Sequence, residues 1–141
     1  IWNGDEMGMC GADDPDCRKP LWWPEFEFDD EYRNNFQNGD KTYDEVGFNQ
    51  EIFDFYKKII SIRNENPVLA TGDIEFLETE GNTLMYKRYN TDNEIIVIFN
   101  MDDESHSFEL PWNNYINLFN NSTVVAKTTV EAKSGVILKR K

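Results

Sequence analysis

The apolar residues within Gln50–Glu65 recur at the three- and four-residue spacing of an amphipathic helix. Asn49 is a favourable N-cap, and Phe48 can pack against Phe53 as a hydrophobic staple. Asn66-Pro67 predicts the end of the helix, because the residue before a proline disfavours helical backbone. The predicted helix has a wide apolar face, made of Ile52, Phe55, Tyr56, Ile59 and Ile60.

After Gly72 the period of the apolar positions changes to two, which is typical of β-strands. Short segments with this pattern are separated by turn-forming Asn, Asp, Gly and Ser residues. Glu94–Asn100 contains a continuous apolar run, as expected of a central strand. Strands without intervening helices predict a mainly β fold, an antiparallel sandwich. The predicted strands are Ile74–Glu78, Thr83–Tyr89, Glu94–Asn100, Ser107–Leu110, Tyr115–Phe119, Thr123–Thr128 and Val136–Arg140.

Residues 1–48 show no sustained period and read as a long loop, with a short helical turn expected around Asp29–Phe36. Aromatic residues concentrate between Trp22 and Tyr56, and long loops in compact domains are usually functional. The sequence therefore divides into a loop-and-helix part, residues 1–71, and an all-β module, residues 72–141.

Composition limits the classes of function. The chain has 141 residues, 39% of them hydrophobic, which is enough to bury a core. Its net charge of -13 argues against a nucleic-acid partner, which requires a basic surface. No apolar run approaches the roughly 20 residues of a membrane span, and no signal peptide is recognisable. Cys10, Cys17 and His106 do not form a metal-ligand spacing, so no metal or other cofactor is expected.

The segment Asp13–Trp23 concentrates carboxylates, a guanidinium and two indoles. Carboxylates and guanidinium groups bind hydroxyls, and indoles offer flat apolar faces, a combination that suits a sugar. Asp14 and Arg18, with the stiff Pro15 between them, form the sharpest pair. Two interpretations remain open at this point: contact with a ligand, or a surface ion pair that holds a loop.

Adjacent carboxylates at Asp5 and Glu6 raise the question of an acid–base pair of the glycosidase kind. Neighbours on a strand point to opposite sides, so we interpret one of the two as structural, accepting hydrogen bonds from backbone groups in a turn. For Trp22 and Trp23 we expect one of the two rings to be buried, because aromatic residues are commonly part of a core.

These segments carry a resemblance to a known family. Ile1–Met9, followed by Asp13–Pro20 and Trp22, resembles the alpha-amylase superfamily of glycoside hydrolases, and within it the cyclomaltodextrinase, neopullulanase and maltogenic amylase group. Ser134–Lys139 also resembles the last strand of that family's C-terminal domain. The resemblance covers essentially the whole chain.

The resemblance implies a place for each segment. Ile1–Asn3 would end the eighth strand of a (β/α)8 barrel, residues 4–48 would form the loop at its catalytic face, and Gln50–Glu65 would be the eighth helix. Residues 72–141 would be the C-terminal antiparallel sandwich, a Greek key. The fold implied is thus mainly β, preceded by the remnant of a barrel.

The resemblance also implies a role for the loop. Asp14 and Arg18 match the Asp and Arg that hydrogen-bond a sugar on the non-reducing side of the cleaved bond. The family's three catalytic carboxylates lie on earlier barrel strands, so this chain would contain no catalytic residue and would be inactive alone. The parent enzyme would act on α-glucans or cyclomaltodextrins.

Two other classes of function stay open from the residues. The aromatic loop is compatible with a non-catalytic carbohydrate-binding module, and the sandwich is compatible with a structural or interaction module. The apolar face of the predicted helix, if uncovered, predicts folding onto the sandwich or self-association as a homodimer.

Overall fold

The computed structural model describes residues 1–10, 18–34, 41–44, 46–77 and 80–141. The chain forms two compact units, Ile1–Ile59 and Ile60–Lys141, and each is described by itself below. No helix in the described residues is long and apolar enough to cross a membrane.

The first unit contains a short 3-10 helix at Asp5–Met7 and a pair of antiparallel strands. These strands are β1 (Glu31–Asn34) and β2 (Lys41–Asp44). The helical turn predicted around Asp29–Phe36 is therefore wrong where the structure describes it. A helix of this length pays the full cost of nucleation for few hydrogen bonds, whereas pairing with a second strand satisfies the same backbone groups.

Helix α1 spans Gln50–Glu65, which confirms the bounds predicted from its apolar spacing. The Asn49 Oδ1 accepts a hydrogen bond from the backbone N–H of Ile52 at 3.0 Å, so Asn49 is the N-cap. The rings of Phe48 and Phe53 lie 5.1 Å apart, centroid to centroid, and form the predicted staple. At the other end, the Asn66 Nδ2 donates to the carbonyl of Ile62 at 2.7 Å.

The second unit is built mainly of antiparallel strands that follow a short helix, α2 (Val68–Thr71). Six strands form one sheet in the order β3-β4-β5-β10-β7-β8, and β6 pairs with β9 in a separate ladder. The strands are β3 (Asp73–Leu77), β4 (Thr83–Tyr89), β5 (Glu94–Asn100), β6 (His106–Glu109), β7 (Tyr115–Asn117), β8 (Thr123–Val124), β9 (Lys127–Val130) and β10 (Ser134–Arg140).

The larger core lies between the six-stranded sheet and the β6–β9 ladder, which gives the predicted two-layer, mainly antiparallel β fold. Alternate residues of each strand point to this side, as the period of two requires. The buried members of the cluster are Met85, Ile96, Ile98, Phe108, Leu110, Tyr115, Val130 and Leu138.

The opposite face of the sheet is covered in part by α2. Val68 packs there with Ile95 and Val97, and these three residues are at least 96% buried. Strand β5 therefore has apolar neighbours on both sides, which explains its continuous apolar run. Its position between β4 and β10 confirms the prediction of a central strand.

The single strand predicted over Thr123–Thr128 is wrong, because this segment contributes to both ladders. β8 pairs with β7, whereas β9 pairs with β6. Between them Ala126 has a φ of 55°, in the left-handed region that extended backbone cannot pass through. The break at Ala126 lets the chain leave one layer of the sandwich and enter the other.

A buried amide holds the end of β5 to the loops around it. Asn100 is 0% exposed, and its Nδ2 lies 2.8 Å from the carbonyl oxygen of Glu104 and 3.0 Å from those of Val130 and Glu131. Its Oδ1 accepts a hydrogen bond from the backbone N–H of Asp102 at 3.0 Å. This one side chain therefore connects β5, the loop after it and the end of β9.

Candidate functional site

The N-terminal segment folds into a tight turn because of two glycines. Gly4 and Gly8 flank the short 3-10 helix with φ values of 93° and 71°, a region that favours glycine. A Cβ added at Gly4 would lie 2.4 Å from the sulfur of Met9, so a side chain there would also collide. The turn is attached to the start of α1, since the Asn49 backbone N–H donates to the Met7 carbonyl at 3.1 Å.

The two adjacent carboxylates in this turn have different surroundings. The Asp5 Oδ2 accepts a hydrogen bond from the backbone N–H of Trp2 at 2.7 Å. Asp5 is therefore the structural carboxylate that was expected of one member of this pair. The Glu6 Oε2 is buried and has no hydrogen-bond partner among the described residues. The two side chains do not form an acid–base pair around a shared space.

Of the candidate sugar-binding pair, the structure describes Arg18 but not Asp14. Asp14 lies outside the described residues, and so does Cys17. Arg18 is the first described residue after that interval, and it is exposed. The structure therefore gives no distance between Asp14 and Arg18, and their joint role in binding a sugar stays a prediction.

The residues after Arg18 are anchored by a buried indole. Trp22 is 3% exposed, and the Lys19 Nζ lies 4.9 Å from the centroid of its ring. Trp23 is 38% exposed, which confirms the expectation that one of the two indoles is buried. A buried ring four positions after Arg18 fixes this end of the segment, while Trp23 remains available on the surface.

Trp23 forms one wall of an open aromatic groove of about 670 Å³. Its ring stacks on Phe48 with centroids 6.5 Å apart and meets Phe53 edge-on at 6.4 Å. Phe26, which is 60% exposed, meets Phe28 edge-on at 6.4 Å. The aromatic richness of this stretch is visible in the sequence, but the groove is not, because which rings meet depends on the fold of the loop.

The histidine at position 106 belongs to a structural hydrogen-bonding cluster with Asp102 and Asn82. The His106 Nε2 lies 3.0 Å from the Asp102 Oδ2, and the Asn82 Nδ2 donates to the Asp102 Oδ1 at 2.8 Å. The hydrogen bond from Asn82 is the main cause that lowers the pKa of Asp102. Within the described residues, no group of three or more His, Cys, Asp or Glu side chains could hold a metal ion.

Comparisons with known proteins relate the chain to enzymes. No protein-family model matches it. It is 37% identical over 100 residues to a cyclomaltodextrinase of Thermoanaerobacter pseudethanolicus, a match that covers 71% of the chain and 14% of that relative. It is 29% identical over 109 residues to neopullulanase 2 of Thermoactinomyces vulgaris, covering 76% of the chain and 15% of that relative. The chain thus spans a small part of the curated relatives it matches.

Solved structures show the same fold. An Anoxybacillus alpha-amylase superposes with a TM-score of 0.73 at 18% identity, over 98% of the chain and 28% of that structure. The maltogenic amylase from S. marinus superposes with a TM-score of 0.72 at 23% identity, over 100% of the chain and 17% of that structure. At this level of identity the likeness shows the fold alone.

Proposed function

We propose that this chain, which belongs to the alpha-amylase superfamily and corresponds to its C-terminal part, contributes to a retaining glycosidase that acts on α-glucans or cyclomaltodextrins. The observation that carries the proposal is the 37% identity to a cyclomaltodextrinase over 100 residues. In this proposal the chain supplies substrate contacts and a stabilising sandwich. The reacting carboxylates come from the part of the enzyme that this chain does not span.

We assign residues 1–71 to the end of a (β/α)8 barrel and residues 72–141 to the C-terminal sandwich. The loops after barrel strands meet at the catalytic face, so the segment between the N-terminal turn and α1 would face the substrate. The hydrogen bond from the Asn49 backbone N–H to the Met7 carbonyl supports this assignment, since it holds the N-terminal turn against the start of α1.

Asp14 and Arg18 would hold one sugar ring in place during the reaction. A guanidinium offers several donors in a planar fork, and a carboxylate accepts from two hydroxyls, so together they fix both position and rotation of a ring. Such positioning accelerates a reaction even though neither group exchanges a proton. Retaining hydrolysis itself requires a nucleophile and an acid–base carboxylate on the two sides of the bond.

The test is a kinetic comparison in the complete enzyme, expressed with the polypeptide that precedes this chain. Arg18→Ala should lower kcat/KM for maltooligosaccharides about tenfold or more, and Arg18→Lys should recover part of the loss, because lysine keeps the charge without the fork. Lys57→Ala, an exposed position on α1, is the control. Unchanged kinetics for Arg18→Ala would remove Arg18 from the site.

The same proposal makes a statement about the chain by itself. The 141-residue chain should not hydrolyse β-cyclodextrin or maltooligosaccharides, and hydrolysis by the purified chain would contradict the assignment of the carboxylates. Helix α1 leaves Phe55 and Ile60 54% and 41% exposed. We propose that this face is covered in the complete enzyme and drives self-association of the chain alone, which light scattering across concentration would detect.

A further inference from the structure

One end of the six-stranded sheet carries a row of side chains from four neighbouring strands. Tyr89 on β4 pairs with Glu94 on β5, and Arg140 on β10 pairs with Tyr115 on β7. The register of β10 against β5 places Arg140 beside Glu94, which closes the row. Strands in a sheet lie about 4.8 Å apart, so the row extends over roughly 14 Å.

The row lies where the larger core reaches solvent. Tyr115 belongs to that core, and residues two apart on a strand share a face, so Arg140 lies on the same face as Leu138. Tyr115 is 0% exposed, whereas Arg140 is exposed. The buried tyrosine therefore supports a surface made by the outer members of the row.

Trp112 adds an aromatic ring above this surface. The Cζ of Arg140 lies 3.9 Å from the centroid of the Trp112 ring, so the guanidinium covers one face of the indole. Trp112 nevertheless remains 48% exposed. A large apolar ring is thus held in a defined orientation with much of its surface open to water.

The polar groups beside the ring are also held in place. The hydroxyl of Tyr115 donates to the Glu94 Oε1 at 3.1 Å, which orients that carboxylate. On the other side, the Lys87 Nζ binds the Glu75 Oε2 at 2.9 Å and lies 4.9 Å from the centroid of the Tyr89 ring. Burial, with Glu94 nearby, raises the pKa of Tyr115, so its hydroxyl remains a donor at neutral pH.

The charges of this surface nearly balance. Glu94, Glu75 and Asp73, which pairs with Tyr89, face the two cations Arg140 and Lys87, in a chain whose net charge is -13. A strongly charged partner would gain little from a nearly balanced surface, and an entirely apolar partner would leave these polar groups without hydrogen bonds. A neutral ligand with many hydroxyls and weakly apolar faces satisfies both requirements.

We propose that Trp112, Tyr89, Glu94 and Arg140 form a carbohydrate-binding platform on the sandwich, distinct from the Asp14–Arg18 segment. A pyranose ring would lie on the exposed indole, and its hydroxyls would bond to the carboxylate and to the remaining guanidinium donors. The length of the row suits two or three linked rings, roughly 10–14 Å. The choice of an α-linked glucan as the ligand rests on the function proposed above. The arrangement of the four side chains is independent of that function.

Nuclear magnetic resonance of the 141-residue chain tests the platform, because its four tryptophans give four separate indole N–H signals. Titration with maltoheptaose should shift the Trp112 signal, identified from its loss in Trp112→Phe. Isothermal titration calorimetry should show maltoheptaose binding about tenfold weaker for Trp112→Ala, as expected for the loss of a stacking ring. Phe76→Ala is the control, since Phe76 is a 66% exposed aromatic residue of the same sheet.

The outcomes separate this proposal from the preceding one. The platform is supported if maltoheptaose shifts the Trp112 signal and Phe76→Ala leaves that shift unchanged. If only cellohexaose produces the shift, the platform stands but its α-glucan ligand is refuted. Shifts confined to the Trp22 and Trp23 signals would place binding at the loop and refute the platform. The platform is also refuted if neither sugar shifts the Trp112 signal at about 10 mM, which is tenfold above a dissociation constant of about 1 mM.

Discussion

Replacing Asn100 with alanine should produce one of the largest losses of stability available from a single side chain in the second unit. The Nδ2 of Asn100 lies within 3.0 Å of three carbonyl oxygens, and only that of Val130 belongs to a fully buried bond. Alanine removes this buried hydrogen bond, at a cost of about 1–3 kcal/mol. Water can reach the two partly buried carbonyls, so each adds only about 0.5 kcal/mol.

These contributions give a loss of about 3 kcal/mol in the free energy of unfolding. Urea denaturation of the 141-residue chain, followed by tryptophan fluorescence, measures it. With a denaturant slope of about 1.5 kcal/mol/M, the midpoint should fall by about 2 M while the slope stays unchanged. Asn113→Ala, which removes the same amide from an exposed position, is the control and should leave the midpoint within about 0.3 M.

Asn100→Asp sharpens the test, because it keeps the size and one acceptor but removes the donor. A carboxylate facing three carbonyl oxygens is unfavourable, so its folded-state pKa should rise above that of the unfolded chain. Protonation supplies a donor again, so the variant should regain stability relative to the native chain as the pH falls from 7 toward about 4. A loss below about 1 kcal/mol for Asn100→Ala, or an Asn100→Asp deficit independent of pH, would refute the reasoning.

Three further predictions follow from single positions. Ala126→Val should destabilise the second unit by about 1 kcal/mol, because a β-branched residue tolerates a φ of 55° poorly, whereas Ala126→Gly should not; equal denaturation midpoints would contradict this. Because the pKa of Asp102 is lowered from 3.8, its carboxylate stabilises the fold above pH 3.8. The difference in denaturation midpoint between the native chain and Asp102→Asn should therefore narrow as the pH falls below that value. Because the pKa of Tyr115 is raised, the native chain should lose stability above pH 10.0 more steeply than Tyr115→Phe, and parallel alkaline profiles would argue against it.

The helix and the strands were predictable where their signals are local. Helix α1 is specified by its own apolar spacing and by Asn49 and Asn66-Pro67 at its ends, all within a few residues of the element. Strands β4 and β5 were predicted with their observed bounds because turn residues flank each of them. In these cases no distant part of the chain is needed to decide the local conformation.

The predictions are wrong where pairing with another segment decides the backbone conformation. Glu31–Asn34 is a strand because Lys41–Asp44 pairs with it, and four residues carry too little period to reveal that pairing. The change of layer at Ala126 is hidden because alanine is not a residue that signals a left-handed backbone. Both errors come from reading a segment without the element that satisfies its hydrogen bonds.

The two candidate sugar sites show the same limit at the level of function. Asp14 and Arg18 are four residues apart, and their assignment depended on a resemblance carried by a contiguous segment. Tyr89, Glu94, Trp112 and Arg140 are spread over more than fifty residues, and they become neighbours only because β10 returns between β5 and β7. A contiguous motif can be recognised in a sequence, whereas a platform assembled across strands exists only once the strand order is known. The return of β10 therefore does two things: it closes the core of the sandwich, and it places Arg140 beside Glu94 under the indole of Trp112.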